Sequence, residues 1–118
     1  MKVIQKSLEL QGSQYYEKHL SIISPMLPEP FTHKEITVLA AFMALPESVT
    51  EDDKFNSLAR KKVRQQLSLS AGGLSNYLGS MIKKGFLTKS EISKKIKIKE
   101  YLVPEEDFQG YMFKLTKK

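Results

Sequence analysis

The sequence predicts a mainly helical domain closed by a small β-hairpin, an α+β chain whose strands follow its helices. Three observations carry this. A capping box opens an apolar run of helical period near residue 32. Two capped helices separated by a very short turn follow it. A glycine then ends the second of them directly before a β-prone stretch. With 118 residues, two-fifths of them hydrophobic and about a quarter charged, the chain has material for one core. Residues 1–31 read as an N-terminal arm and helix, and residues 32–118 as the main domain, within one compact unit.

Residues 2–10 mix Val3, Ile4, Leu8 and Leu10 with polar residues, as a short strand or an ordered arm does. A helix is predicted from Ser13 to about Met26, with Tyr16, Leu20 and Ile23 at helical spacing and Tyr15, His19 and Ile22 widening the stripe. Pro25, Pro28 and Pro30 end it. Its apolar stripe has two uses, packing on the core or pairing two subunits as a homodimer. Thr32-His33-Lys34-Glu35 is the capping box, and Ile36, Leu39, Ala40, Phe42 and Met43 form the face behind it until Pro46.

An acidic loop over residues 47–53 leads to Ser57, the expected cap of a helix from Leu58 to about Leu67. That helix turns Leu58, Val63 and Leu67 one way and Arg60, Lys61 and Arg64 the other. After the turn Ser68-Leu69-Ser70, Ser70 caps a helix over residues 71–84 in which Leu74, Tyr77, Leu78, Met81 and Ile82 recur at core spacing. Lys83 and Lys84 suit its negative end, and Gly85 closes it. Phe86-Leu87-Thr88 reads as the first hairpin strand, with Tyr111-Met112-Phe113-Lys114-Leu115 as its expected partner. In the lysine-rich excursion between them, isoleucine alternates with lysine over residues 94–99. That pattern fits a strand with one basic face or an extended wing.

Charge is distributed unevenly. Residues 1–53 hold four Lys or Arg and eight Asp or Glu, residues 54–99 hold twelve against Glu91 alone, and residues 100–118 hold three against four. A net charge of +11 in one central block points to a polyanion partner more than to solubility.

The segments Leu67-Ser68-Leu69-Ser70, Leu74-Ser75-Asn76-Tyr77-Leu78 and Met81-Ile82-Lys83-Lys84-Gly85-Phe86-Leu87 together resemble the winged helix-turn-helix superfamily. They are similar to segments of multiple-antibiotic-resistance-type regulators and of plasmid and phage replication initiators. The resemblance covers roughly residues 32–115. It implies a double-stranded DNA-binding protein, a transcriptional regulator or replication accessory. The second helix of the pair would enter a major groove, presenting Gly72, Ser75, Asn76, Gly79, Ser80 and Lys83, with Ser70 at its start. Asn76 would meet an adenine edge. Lys94, Lys95, Lys97 and Lys99 would lie on phosphates or against a minor groove, and Arg60, Lys61 and Arg64 on phosphates. The face departs from a strong base reader: it has no arginine, and it holds Gly72, Gly73 and Gly79. Those glycines imply close approach of a partner, and an adaptor or virion protein using this face for protein contacts is the alternative.

Other chemistries find little support. The chain has no cysteine, and its two histidines, His19 and His33, lie far apart in sequence, so neither a metal nor a cofactor is expected. Glu105-Glu106-Asp107 lacks the spacing of a calcium loop, and Ser70-Ala71-Gly72-Gly73 lacks the ending of a P-loop. No nucleophile and base are paired, so no enzyme is expected. Tyr77 and Phe86 read as core, Tyr101 and Phe108 as open to contact. Without a signal-peptide pattern, an apolar span or a basic amphipathic helix, the expected location is cytoplasmic (a host's cytoplasm or a virion for a phage protein), away from membranes.

Overall fold

Thr32 starts the element around which the rest packs. In the computed structural model, which describes residues 2–50, 53–105 and 107–118, the Thr32 hydroxyl accepts from the Glu35 N–H at 3.2 Å. Glu35 Oε1 accepts from the Thr32 N–H at 2.8 Å. Two of the donors that every helix start leaves unpaired are thereby satisfied. The helix that follows, α2 (His33–Met43), buries every residue from Val38 to Met43. Such a helix must be covered on all sides. The first helix, α1 (Ser13–Ile23), and two later ones, α4 (Ser57–Leu67) and α5 (Ala71–Lys83), supply the cover.

The apolar stripe of α1 is used in that cover. Leu20 is fully buried, and Tyr16 and Ile23 pack against the core. Of its two expected uses, packing on the core is therefore the one seen within the chain. The helix is shorter than its spacing suggested, because Pro25 converts Ser24–Met26 into a 3-10 turn. Ser24 Oγ accepts from the Phe31 N–H at 2.8 Å and closes the proline-rich connector onto the start of α2.

Within the expected acidic loop, residues Glu47–Thr50 form a helical turn, α3; Glu51 and Asp52 lie outside the described residues. The cap of α4 is Asn56 and not Ser57. Asn56 Oδ1 accepts from the Ala59 N–H at 2.8 Å, while its Nδ2 donates to the Val49 carbonyl at 2.7 Å. An amide carries an acceptor and a donor, so it caps one helix and ties it to the previous turn at once. A serine hydroxyl does the first job as well but reaches less far for the second.

Ser68 takes a left-handed conformation (φ 56°), and the N–H groups of Ser68 and Leu69 both point at the Arg64 carbonyl. Ser70 Oγ then accepts from the Gly73 N–H at 3.0 Å and starts α5, so only three residues separate the end of α4 from the start of α5. At its other end the Gly85 N–H donates to the Ile82 carbonyl and the Phe86 N–H to the Met81 carbonyl, with Gly85 at φ 86°. That pair of bonds is a Schellman closure, which needs a residue tolerant of positive φ. It delivers Phe86 into the core, stacked on Phe31 with ring centroids 3.9 Å apart.

The hairpin pairs β1 (Leu87–Lys89) with β2 (Ile96–Ile98), antiparallel, Leu87 opposite Ile98 and Lys89 opposite Ile96. Residues 111–115, the expected partner, form no strand. The alternation of residues 94–99 was the better signal. Loop length alone does not decide, since closing the longer loop costs only about 1 kcal/mol more. The tip decides: Ser90 and Lys94 or Lys95 exchange backbone bonds in both directions at 2.9 Å, with Lys94 left-handed at φ 61°. Ile96 and Ile98 turn inward beside Leu87, leaving Lys97 outward across from Thr88. Residues 2–10 form neither a strand nor a helix and are exposed except at Leu10. The result is a mainly helical chain with one two-stranded antiparallel hairpin after the helices, a layout compatible with a winged helix.

Candidate nucleic-acid interface

Three consecutive elements carry the basic block. α4 packs on α5, and α5 packs on β1, so their outer faces follow one another in space as in sequence. On α4, Lys61 and Lys62 are exposed, whereas Arg60 and Arg64 are half-buried. Arg60 Nε donates to the Phe55 carbonyl at 2.8 Å, which holds its stem against the domain. Arg64 Nε is buried and meets no acceptor among the described residues. Arg64 lines a shallow concavity of about 490 Å³ with Ser57, Lys61, Gln65 and Leu69. Two cationic side chains, Lys61 and Arg64, line this concavity, so it is suited to an anion.

On α5, Gly72, Ser75, Asn76, Gly79 and Lys83 are exposed, as their spacing implied. Ser70 is exposed too, but its oxygen is occupied as the helix cap. Ser80 is half-buried and turned toward the domain, donating to Glu35 Oε2 at 2.7 Å. The lysines also divide. Lys84 pairs with the buried Glu35 at 2.7 Å and faces the core, leaving Lys83 for a partner. The basic block thus offers fewer free charges than its composition suggests. On the hairpin, Lys94, Lys95, Lys97 and Lys99 are all exposed.

The three helical glycines have different explanations. A Cβ on Gly73 would come within 3.1 Å of Ser70 Oγ, so the cap itself favours glycine there. A Cβ on Gly72 or Gly79 would meet nothing within 4 Å. Each gives up about 1 kcal/mol of helix propensity relative to alanine with no compensating contact inside the chain. The Gly72→Ala/Gly79→Ala variant is therefore expected to be more stable than wild type by about 1–2 kcal/mol in urea unfolding. No gain would mean that something within the fold requires those glycines.

Sequence reasoning missed Lys89, exposed at the end of β1, and Ile92, 97% exposed at the hairpin tip. The register sets Lys89 opposite Ile96, on the hairpin's inner face, and it is exposed only because β1 ends there; Ile92 had no periodic signal. Of the aromatic residues, Phe86 is buried and Tyr77 packs against the core, while Tyr101 and Phe108 are exposed. His19, far from the hairpin in sequence, sits under the C-terminal segment. Its Nε2 donates to the Leu102 carbonyl at 2.8 Å and its Nδ1 accepts from the Tyr111 hydroxyl. Burial pushes the His19 pKa down, against the opposing effect of the Leu102 carbonyl.

Among the described residues no group of three or more His, Cys, Asp or Glu side chains is placed to hold a metal ion, and no helix is long and apolar enough to cross a membrane. Compared with known proteins, the chain matches no family model, no curated protein and no solved structure.

Proposed function

We propose that this chain is a double-stranded DNA-binding protein of the winged helix-turn-helix kind, a transcriptional regulator or replication accessory that performs no chemistry of its own. The observation that carries the reading is the run of exposed lysines along the hairpin, Lys89, Lys94, Lys95, Lys97 and Lys99, directly after a helix whose outer face is small and polar. Such a face admits close approach to a groove, and the lysines lie on backbone phosphates. Affinity is then phosphate-dominated. Asn76 supplies a base contact, and Lys61 and Arg64 supply a phosphate seat in the concavity on α4.

A second reading keeps the same face for a protein partner, as in an adaptor or virion component. It is favoured by the absence of arginine on α5 and by the inward engagement of Ser80. Binding of the full chain to a random-sequence duplex across a salt series separates the two. The DNA reading expects micromolar affinity that falls steeply with salt, with a log–log slope of about −0.9 per phosphate contacted. Absence of binding at low salt ends that reading and leaves the protein partner.

A further inference from the structure

The hairpin tip is bonded across its whole turn. The Ser90 N–H donates to the Lys95 carbonyl and the Lys94 N–H to the Ser90 carbonyl, both at 2.9 Å. Ser90 Oγ accepts from the Ser93 N–H at 3.2 Å, and Ser93 Oγ from the Lys95 N–H at 3.3 Å. Those bonds enclose residues 91–93, with Glu91 and Ile92 exposed at the apex.

Two side chains of this turn point to a use outside the fold. Ile92 is the only apolar residue between Leu87 and Ile96, and it is 97% exposed. Turns are ordinarily built from glycine, proline, asparagine, aspartate and serine, and a β-branched apolar residue brings none of their advantages. Lys94 is exposed and holds φ at 61°, where glycine or asparagine sits at lower cost. One exposed apolar residue signifies little by itself. Here it stands at the apex of an ordered turn, close to a lysine kept in spite of its backbone. These are two separate departures from turn chemistry.

Charge names the partner. Lys94, Lys95 and Lys97 are exposed along the strand that leaves the apex. A tip made only to touch phosphates would not carry a carboxylate, yet Glu91 is at the apex, so the apex itself adds to binding through its isoleucine. Proteins that enter a minor groove combine cationic side chains with an apolar wedge, which partly unstacks one base step and kinks the duplex toward the major groove. A single isoleucine is enough for one base step, whereas it offers a bilayer far less apolar area than stable anchoring takes.

We infer, in an extension that rests on the DNA-binding reading, that Ile92 is such a wedge: the hairpin tip enters a minor groove, Ile92 inserts between two base pairs, and the duplex bends. Because the tip is bonded in place, little ordering entropy opposes the insertion. Pyrimidine–purine steps kink most easily, so the wedge favours sites that carry one. An interface without arginine on α5 thereby gains a means of choosing sites by their deformability.

The test uses the full chain and a duplex of two helical turns with a central TA step, labelled at both ends for energy transfer and saturated with protein at low salt. Wild type is expected to bring the ends together through a bend of about 20–90°. Ile92→Ser is expected to keep the wild-type circular dichroism, to bind within about tenfold of wild type because the lysines remain, and to leave the duplex straight. Ile92→Leu is expected to restore the bend, and an A-tract in place of the TA step to reduce it. A wild type that binds without bending the duplex, or an Ile92→Ser form that bends it equally, overturns the inference and leaves the DNA-binding reading standing. A duplex left straight by both forms, with binding to phosphatidylserine vesicles lost in Ile92→Ser, assigns the tip to a membrane instead. A wild type with no duplex affinity at low salt overturns the DNA-binding reading and the inference with it.

Discussion

Replacing Lys94, Lys95 and Lys97 together by glutamate is expected to lower duplex affinity by at least about a hundredfold at physiological salt. Each phosphate contact contributes about 0.9 to the salt slope, so three lost contacts remove close to two powers of ten near 0.15 M salt. Repulsion from the new carboxylates adds to the loss. The same variant should show a salt slope shallower by about 2.7. The hairpin itself is expected to survive, because Ile96, Ile98 and Leu87 hold its inner face and Lys97 points away from it. Net charge must be separated from position. A control with Lys2, Lys6 and Lys34 replaced by glutamate makes the same change in total charge at exposed sites outside the basic block. If it loses affinity as severely, binding follows the field of the whole protein and the hairpin is not a contact surface. If neither variant weakens binding, the phosphates meet another face.

Much of the scaffold around that surface was legible because its signals are local. The Thr32–Glu35 capping box, the Ser70 cap and the Gly85 closure all join groups at most five residues apart, and each is present where its residues fall. The expected partner strand failed for the opposite reason. Residues 94–99 alternate more strictly than residues 111–115, but alternation does not name a partner, and the tip's own bonds and the inward fit of Ile96 and Ile98 make the choice. Asn56 displaced Ser57 as a cap because Asn56 also reaches Val49, a contact no capping pattern reveals.

One edge of the candidate face is set by a distant contact, beyond the same limit. A helical wheel groups Ser80 and Lys83 with Ser75, Asn76 and Gly79, which is geometrically sound. It cannot show that a carboxylate from a helix 45 residues earlier stands beside Ser80. Glu35 looked fully explained as a capping residue, and its second oxygen had no visible claimant. The sequence places Lys84 at the negative end of the helix and within the basic block, whereas its ammonium is committed to that carboxylate.

Lys84→Met is accordingly expected to destabilise the fold by about 3 kcal/mol, the scale on which removing one partner of a buried ion pair is felt. Glu35 is 1% exposed, and its carboxylate has three donors: the Thr32 N–H, the Lys84 ammonium and the Ser80 hydroxyl. Burial by itself would raise its pKa. The hydrogen bonds from Lys84, Thr32 and Ser80 and the charge of Lys84 outweigh burial and hold the carboxyl below its ordinary 4.5. A carboxyl whose folded value lies below its unfolded one stabilises the fold above the unfolded value. That contribution is lost as pH falls through the folded value, because the unfolded chain takes the proton first. Wild type should therefore lose stability on acidification below about pH 4.5, and Glu35→Gln should lose less over the same range. The double variant Glu35→Gln/Lys84→Met separates the pair from its surroundings. If the ion pair is strained between desolvation and attraction, the double variant recovers much of what Lys84→Met loses, since neutral groups carry no uncompensated charge into the core. Urea unfolding of the four proteins near neutral pH closes that cycle. A strictly additive cycle would show that Glu35 and Lys84 do not act together, and the link between α2 and the end of α5 would then rest on Ser80 alone. That link matters for the candidate interface, because the same carboxylate fixes the C-terminal turn of α5, from which Lys83 projects and into which the hairpin is rooted.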